Sequence, residues 1–194
     1  MKRPRAGRFT FFLQWLKNPL RTAAVAPSSA DLAAAMIDEL PDDTRRVIEL
    51  GGGTGAITRA LLAAGIPARQ LMVLELNEEL HAHLHARFPA VHVVLGDALS
   101  LSQLARDSGY LAQGPADAIV SSLGLLTMPT STQQAILEAA LQCLAPEGVF
   151  VQFTYGPNAP VSEEVVQQLG LHVHRGEFVL RNVPPATVDE HRRA

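Results

Sequence analysis

One stretch of sequence near residue 50 limits the folds open to this chain more than any other feature. The apolar segment VIEL leads into GGGTG and then into AITRALL, which has helical spacing. Gly51, Gly53 and Gly55 permit backbone conformations and close approaches that a Cβ atom would obstruct. The amide groups at the start of the following helix point toward the same turn. The segment therefore predicts a strand, a ligand-binding turn and a helix.

The rest of the chain alternates short strand-like runs with segments of helical spacing. The strand-like runs are RRVIEL, LMVLEL, VHVVLG, DAIVSS and GVFVQFTY, and the helical segments include EELHAHLHARF and STQQAILEAALQCL. This alternation predicts a parallel sheet with crossover helices on both faces. Near the end, LGLHVHRGEFVLRNV offers two strand-like runs separated by Arg175-Gly176. We expect a hairpin there, which completes a seven-stranded, mostly parallel sheet with an antiparallel C-terminal hairpin.

Two helices are predicted ahead of the first strand. Apolar residues between Phe9 and Leu20 fall on one helical face. The segment SSADLAAAMIDEL predicts a second helix, with Ser28 or Ser29 as N-cap and an end before Pro41. We divide the chain into N-terminal membrane-contact helices over residues 1–40 and one α/β domain over residues 41–194, the helices being an extension of that domain.

The charges are unevenly distributed along the chain. The first 21 residues hold six of the 16 basic side chains and no acid, which leaves ten basic against 19 acidic side chains elsewhere. A basic end of this kind favours an anionic partner. The aromatic helix within it is typical of an anchor lying in the membrane surface, with a lid over the domain as the alternative. The expected membrane contacts are Phe9, Phe12, Leu13, Trp15, Leu16 and Lys17.

The cellular location follows from the same region and from cysteine usage. The apolar run is broken by Gln14 and followed by cations, so we reject a signal peptide. It is also too short to span a bilayer, which predicts peripheral contact. A lone Cys143 indicates a buried thiol in a reducing compartment. We expect a cytoplasmic chain on the inner face of the membrane.

Acidic residues at two further strand ends distinguish between kinds of nucleotide site. The glycine pattern alone also fits a dinucleotide-binding turn, and Glu75 could accept ribose hydroxyls in either case. Asp97 follows the third strand, where class I methyltransferases commonly place an acid to contact the adenine amino group. We therefore expect a Rossmann-like class I methyltransferase fold and S-adenosylmethionine as cofactor. The expected cofactor residues are Glu49, Gly51, Gly53, Thr54, Gly55, Glu75, Leu76, Asp97, Ala98 and Ser121.

Each of these positions has a purely structural alternative. The glycines could serve only a tight turn, Glu75 could cap the helix that begins near Asn77, and Asp97 could form an Asx-turn. Their placement at the ends of successive strands favours a ligand site, because open α/β sheets bind ligands at that edge. Glu49 is expected to orient the loop or the methionine ammonium of the cofactor.

Several segments together resemble the bacterial phospholipid N-methyltransferases. They are WLKNPLRTAAVAPSSADLAAAM, ELGGGTGAITRALL, VLGDAL, SSLGLL, VQFTYGP and RNVPPATV, and the resemblance extends from about Phe12 to Arg192. The central motifs are shared with ribosomal RNA adenine dimethyltransferases. The NP-x-x-T-x-A-V-x-PSS segment, FTYGP and RN-x-PPA are more specific to the lipid enzymes.

The resemblance implies methyl transfer to the amine of phosphatidylethanolamine, giving mono-, di- and trimethylated products, the last being phosphatidylcholine. A related branch methylates ornithine lipids. Two positions depart from the family pattern: Gly124 stands where Pro is usual, and Leu180 lies near a common aromatic. Both could tune the acceptor pocket.

Candidate acceptor residues follow the later strands. Tyr155 is expected at the end of the fifth strand, where it could hydrogen-bond the amine or stabilise the cationic product, or only pack the sheet edge. Ser122, Arg181 and Asn182 are candidates for the lipid and its phosphate. Ser121 and Ser122 replace the N-L-P-Y-type segment of the RNA enzymes, which argues against a flipped base.

Other functions remain as alternatives. His81, His83 and His85 have no accompanying ligands at metal-binding spacing, and we expect no metal. An RNA adenine methyltransferase is disfavoured by the acidic remainder of the chain, and no nucleic-acid partner is expected. A catalytically silent cofactor-binding protein that docks on membranes is disfavoured by the intact glycine turn and its acids.

Overall fold

The computed structural model describes residues 30–182 and 184–194, which form a seven-stranded mixed sheet between two layers of helices. The strands are β1 (Val47–Leu50), β2 (Leu71–Glu75), β3 (His92–Leu95), β4 (Ala116–Ser121), β5 (Leu144–Tyr155), β6 (Leu171–Val179) and β7 (Ala186–Arg193). They are arranged in the order β3-β2-β1-β4-β5-β7-β6, and β7 runs antiparallel to both of its neighbours. The predicted α/β class and antiparallel C-terminal strands are confirmed.

Six α-helices of the described part cover the two faces of this sheet. They are α1 (Ala30–Asp38), α2 (Ala56–Ala63), α3 (Glu78–Arg87), α4 (Leu101–Asp107), α5 (Thr130–Leu141) and α6 (Glu163–Gln168). Helices α1 to α3 pack on one face and α4 to α6 on the other. Strands β1 and β2 are buried along their whole length. Burial on both faces explains why they are continuous apolar runs rather than alternating ones.

The strand order places a crevice in the middle of the sheet. From β1 the chain proceeds outward to β2 and β3 on one side, and it returns to β4 and β5 on the other. Strands β1 and β4 are parallel neighbours, with Leu50 beside Ser121 at their carboxyl ends. Open α/β sheets bind ligands at such a reversal point.

The predicted position of the C-terminal turn is wrong. Strand β6 continues through Arg175 and Gly176, with a register shift before Phe178, and the chain reverses later, over residues 180–185. A two-residue hairpin turn needs positive φ, and Gly176 does not have it. A Cβ atom at Gly176 would meet the Glu39 carboxylate, the flexible end of a side chain that follows α1, and would lie 3.0 Å from Val188 O in β7.

The N-terminal predictions are only partly covered by the structure. Helix α1 ends before Pro41 as predicted, and its Leu32 and Met36 are fully buried in the core. The caps Ser28 and Ser29 and the proposed membrane helix lie outside the described residues, as do the expected contacts Phe9, Phe12, Leu13, Trp15, Leu16 and Lys17. The division between residues 40 and 41 stays a prediction. Within the described ranges, no helix is long and apolar enough to cross a membrane.

The lone cysteine lies in the core, as predicted. Cys143 follows α5, is fully buried, and its thiol donates to Ala139 O at 3.3 Å. Burial raises the pKa of this thiol to about 11, so it stays protonated at neutral pH.

Candidate functional site

The predicted cofactor residues meet at the carboxyl edge of the parallel strands. Gly51, Gly53, Thr54 and Gly55 form the loop after β1, and Glu49 precedes it within the strand. Glu75 ends β2 and Leu76 follows it, Asp97 and Ala98 follow β3, and Ser121 ends β4. Strands β3, β2, β1 and β4 are consecutive in the sheet, which brings these positions together. The site therefore comprises the β1–α2 loop and the carboxyl ends of β2, β3 and β4.

The glycine loop is held in place from the end of β4. The Ser122 hydroxyl lies 2.6 Å from Gly51 O and 3.1 Å from Leu50 O, both within donor range. Gly51 has φ +80°, and a Cβ atom at this position would lie 2.9 Å from Ser122 Oγ. The loop therefore needs glycine both for its conformation and for its contact with β4. Ser122, predicted to contact substrate, has its hydroxyl proton directed at the loop.

Glu75 fixes the other side of this loop. Its Oε2 accepts a hydrogen bond from Gly53 N at 2.8 Å, and its Oε1 accepts one from Asn77 N at 2.8 Å. The cap of α3 is Asn77, whose Oδ1 accepts from Glu79 N and Leu80 N. The side-chain cap of α3 is thus Asn77, and Glu75 takes part only by accepting from the backbone N–H of that residue. A carboxylate has about four acceptor sites, so each Glu75 oxygen retains capacity for a hydroxyl group.

Glu49 is a buried carboxyl group with one oxygen unpaired. Its Oε2 accepts from Thr58 Oγ1 at 2.6 Å, whereas Oε1 is buried and accepts no hydrogen bond from the described residues. Burial, with a smaller contribution from the charge of Glu75, raises the pKa of Glu49 to about 8, although its hydrogen bonds with Thr58 act in the opposite direction. A buried acceptor without a partner calls for an explanation. Glu49 lies two residues before Gly51, so this oxygen is beside the glycine loop.

Asp97 is positioned at the end of β3 next to Glu75. Gly96 N donates to Glu75 O at 3.0 Å, and Asp97 Oδ1 accepts from Leu99 N at 2.9 Å. The Asx-turn alternative is therefore present in the structure, but it uses only one carboxylate oxygen. Asp97 is exposed. Its other oxygen is open to an amino group.

Two exposed leucines flank this acidic pair. Leu76 is 67% exposed and Leu99 is 48% exposed, whereas Ala98 between the acid and Leu99 is buried. Exposed leucines on either side of an acid suit a flat, apolar ring whose edge carries an amino group. Polar groups for an ammonium, a ribose and an amino group, together with apolar sides, match the parts of S-adenosylmethionine.

The far side of the crevice contains Tyr155 at the end of β5. Its ring packs edge-on against Phe153, with the centroids 5.3 Å apart. Burial raises the pKa of the Tyr155 phenol above its usual value, so the hydroxyl keeps its proton. Gly156 N donates to Pro185 O at 2.8 Å, which brings the β6–β7 turn beside Tyr155.

The two other candidate acceptor residues lie in that turn. Arg181 is exposed, whereas Asn182 is only 3% exposed and its Nδ2 donates to Pro184 O at 2.7 Å. Arg181 is thus free to meet an anion in solvent. The Asn182 amide instead stabilises the turn.

Two buried glutamines that the sequence analysis missed hold the loop after β4. Gln133 Nε2 donates to Leu125 O at 3.0 Å and to Met128 O at 3.1 Å. Its Oε1 accepts from Ser162 N at 2.9 Å, which joins this loop to the segment after β5. The helical pattern around Gln133 gave no sign of this role.

Gln152 supports the same loop from β5. It pairs with Ser121 in the sheet, is fully buried, and its Nε2 donates to Leu123 O at 2.8 Å. A polar residue inside the run GVFVQFTY was the available signal, because an uncompensated amide in a buried strand is costly.

The histidines of α3 do not form a metal cluster with their neighbours. His81 and His85 lie one turn apart, with ring centroids separated by 6.2 Å. Among residues 30–182 and 184–194, no group of three His, Cys, Asp or Glu side chains could hold a metal ion.

Comparisons with known proteins agree with this geometry. Residues 47–148 match the family described as "Methyltransferase domain", which is more than half of the chain. The match spans the glycine loop, both acidic strand ends and the start of β5.

Two curated relatives differ in how much of the chain they share. An ornithine lipid N-methyltransferase of Singulisphaera acidiphila is 33% identical over 153 residues, covering 77% of this chain and 78% of that protein. A ribosomal RNA small subunit methyltransferase A of a Synechococcus strain is 38% identical over 99 residues, but only 48% of this chain and 32% of that protein are covered.

Solved methyltransferase structures share the fold. The glycopeptide N-methyltransferase MtfA, determined with S-adenosyl-L-methionine, superimposes with a TM-score of 0.65 at 14% identity, covering 86% of this chain and 95% of that one. At this identity the similarity shows the fold alone.

Proposed function

Because this chain belongs to the methyltransferase-domain family and uses S-adenosylmethionine, we propose that it methylates the primary amine of a membrane-lipid headgroup. The observation that carries the proposal is the 33% identity to an ornithine lipid N-methyltransferase across 77% of the chain. This similarity is not confined to the cofactor half, which any methyltransferase would share. The resemblance to phospholipid N-methyltransferases in FTYGP and RN-x-PPA supports it from the acceptor side.

The proposed cofactor contacts follow from the carboxyl groups at the strand ends that retain acceptor capacity. Glu49 would accept from the ammonium, Glu75 from the ribose hydroxyls, and Asp97 from the adenine amino group. Leu76 and Leu99 would flank the ring. S-adenosylmethionine supplies a methyl group already activated on a sulfonium. The protein therefore has mainly to orient the acceptor and exclude water, without a covalent step of its own.

Tyr155 is the residue that we propose to orient the acceptor amine. Its raised pKa keeps the hydroxyl protonated, so it can donate to a lone pair or accept from an N–H group. Its ring face also attracts a cationic amine. The protonated headgroup amine has a pKa of about 10 and no lone pair. It must therefore lose a proton to water or to a neighbouring group before it reacts.

Two further groups have supporting roles in this proposal. Ser122 stabilises the glycine loop through Gly51 O and thereby positions the cofactor rather than the lipid. Arg181, exposed in the β6–β7 turn, would pair with the anion of the headgroup. Asn182 would act indirectly, by keeping the turn that presents Arg181 in shape.

The headgroup has two candidates, phosphatidylethanolamine and ornithine lipid. Both present a primary amine next to an anion, which suits Tyr155 and Arg181 equally. The specific motifs favour phosphatidylethanolamine, and the curated relative favours ornithine lipid. Gly124, where the phospholipid enzymes usually have Pro, lies in the loop held by Gln133 and Gln152 and is a candidate determinant of this choice.

We place the enzyme at the cytoplasmic face of the membrane, in peripheral contact. The basic and aromatic N-terminus, including Trp15 and Lys17, would bind the anionic surface. This location brings the site to a substrate whose headgroup stays at the interface.

Ribosomal RNA adenine is the second candidate acceptor, because RNA methyltransferases share the cofactor half. The chain spans 32% of such a relative, and Ser121-Ser122 replace the segment that would hold a flipped base. A silent cofactor-binding protein is the remaining alternative. Methyl transfer to any acceptor eliminates it.

The proposal is tested by transfer of labelled methyl groups from S-adenosylmethionine to defined vesicles. We expect label in vesicles that contain phosphatidylethanolamine or ornithine lipid and none in vesicles of phosphatidylcholine alone, which lacks a free amine. The Glu75→Ala variant, which loses the loop contact at Gly53, controls for contaminating activity. Absence of label from every lipid amine, with cofactor binding intact, would reject a lipid acceptor.

A further inference from the structure

Exposed apolar side chains are concentrated at one edge of the molecule. Among the described residues, seven large hydrophobic side chains are exposed, and six lie at or just beyond the carboxyl ends of strands that run in the same direction. These six are Leu76, Leu95, Leu99, Leu126, Phe178 and Leu180. The seventh, Val173, lies near the opposite end of β6.

The six divide between the two halves of the crevice. Leu76, Leu95 and Leu99 follow β2 and β3, on the side of the proposed cofactor contacts. Leu126, Phe178 and Leu180 belong to the acceptor side. An adenosine group would cover leucines of the first set. The second set lies away from the proposed cofactor contacts, on the side of Tyr155.

The β6–β7 turn carries the most exposed of these side chains. Leu180, in this turn, is the most exposed of the six at 71%, and Phe178, near the end of β6, is 45% exposed. Residues 178–187 contain Arg181 as their one charged side chain. We call Phe178, Leu180 and Arg181 the apolar tip. Turns that face water usually present Gly, Asn, Asp or Ser. Exposed apolar side chains beside a cation suggest that this tip contacts something other than water.

Two hydrogen bonds hold the turn that carries the apolar tip. Asn182 Nδ2 donates to Pro184 O at 2.7 Å, and Gly156 N donates to Pro185 O at 2.8 Å. The second bond joins the turn to the residue that follows Tyr155. The tip and the proposed acceptor site are therefore parts of one edge.

We propose that the apolar tip inserts into the headgroup region of an anionic bilayer and holds the acceptor side of the crevice against the membrane. The inference rests on the proposed lipid substrate, because a lipid amine stays at the interface and the enzyme must come to it. Phe178 and Leu180 would reach the acyl boundary while Arg181 pairs with lipid phosphates. The nearest acids along the chain, Glu177 and the buried Asp189, lie outside the tip.

Vesicle binding by the full chain tests this surface. The probe is vesicles of phosphatidylethanolamine and phosphatidylglycerol, sedimented with wild-type protein, with the Phe178→Ser/Leu180→Ser double variant, or with Val173→Ser. The last is a matched control, because it removes an exposed apolar side chain from the opposite end of β6. From the apolar area lost, we expect the double variant to partition about tenfold more weakly, and Val173→Ser to match wild type. S-adenosylmethionine binding should be equal in all three, which verifies folding.

Two results would overturn the inference. One is that the double variant and wild type bind the vesicles equally well, or that neither binds them. The other is a change in oligomeric state on size exclusion without a change in partition, which would assign the tip to a second copy of the chain. Partition is measured without cofactor, so it decides the docking surface independently. If wild type methylates no lipid amine in either vesicles or detergent micelles, the proposed function is rejected instead.

Discussion

The buried carboxyl group of Glu49 should make the stability of the cofactor-free protein depend on pH in a way that Glu49→Gln removes. In the folded protein, burial raises the pKa of Glu49 from 4.5 to about 8. In the unfolded chain the side chain is solvated and ionises near its ordinary pKa. Between these two values the folded state binds a proton that the unfolded state has released. The free energy of unfolding therefore falls as pH rises through this interval, and the loss is complete above about pH 8.

The size of the effect follows from the width of the interval. Each pH unit contributes about 1.4 kcal/mol. Between pH 5 and pH 8, Glu49 should thus lower the stability of wild type by up to about 4 kcal/mol relative to Glu49→Gln. The amide has nearly the same shape, can accept from Thr58 Oγ1 in place of Oε2, and does not titrate.

Urea unfolding from pH 5 to pH 8.5 in the absence of cofactor measures this difference. The curves of stability against pH should diverge steadily, with wild type losing more. Glu138→Gln, which alters an exposed carboxyl group on α5, should keep the slope of wild type. Parallel curves for wild type and Glu49→Gln would refute the argument, because they would mean that Glu49 is ionised throughout.

The remaining predictions concern the loops and the acceptor. Gly51→Ala places a Cβ atom on a residue in the left-handed conformation and directs it toward Ser122 Oγ. It should lower the free energy of unfolding by about 2 kcal/mol and weaken cofactor binding measured by calorimetry. Unchanged thermal unfolding would contradict this. Gln133→Leu leaves buried backbone groups unpaired, which costs about 1–3 kcal/mol of stability for each group. It should raise KM for the lipid while the cofactor Kd stays near that of wild type. A raised cofactor Kd with an unchanged KM for the lipid would disprove the role of Gln133 in the acceptor loop. Tyr155→Phe keeps the ring and loses the hydroxyl, and should lower kcat/KM about tenfold; equal rates in steady-state kinetics would leave Tyr155 a packing residue.

Much of the fold followed from periodicity, because a strand buried on both faces must be a short apolar run and a crossover helix must be amphipathic. The order of the elements then fixed the parallel sheet and its edge. The C-terminal turn was misplaced because Arg175-Gly176 looks like a turn signal. In the structure Gly176 lies within β6 and faces the carboxylate of Glu39, a contact made by a segment far away in sequence.

The site was predictable to the extent that it lies at strand ends. Glu75 and Asp97 could be found by counting strands, since Glu75 is the last residue of β2 and Asp97 follows β3 by two residues. Their hydrogen bonds could not, because the contact between Glu75 and Gly53 N depends on how two strands align. Gln133 and Gln152 were missed for a related reason: a glutamine in a helix or strand gains its meaning only from the loop carbonyls that pack over it.

The most direct test of the central claim is a competition for methyl groups in one reaction. Vesicles containing phosphatidylethanolamine and ornithine lipid are mixed with ribosomal RNA and with S-adenosylmethionine labelled in its methyl group, and the product is divided between chloroform and water. We expect the label in the chloroform phase, on methylated lipid amines. Label in the RNA with none in lipid would contradict a lipid acceptor and leave the fold and the cofactor as the established part.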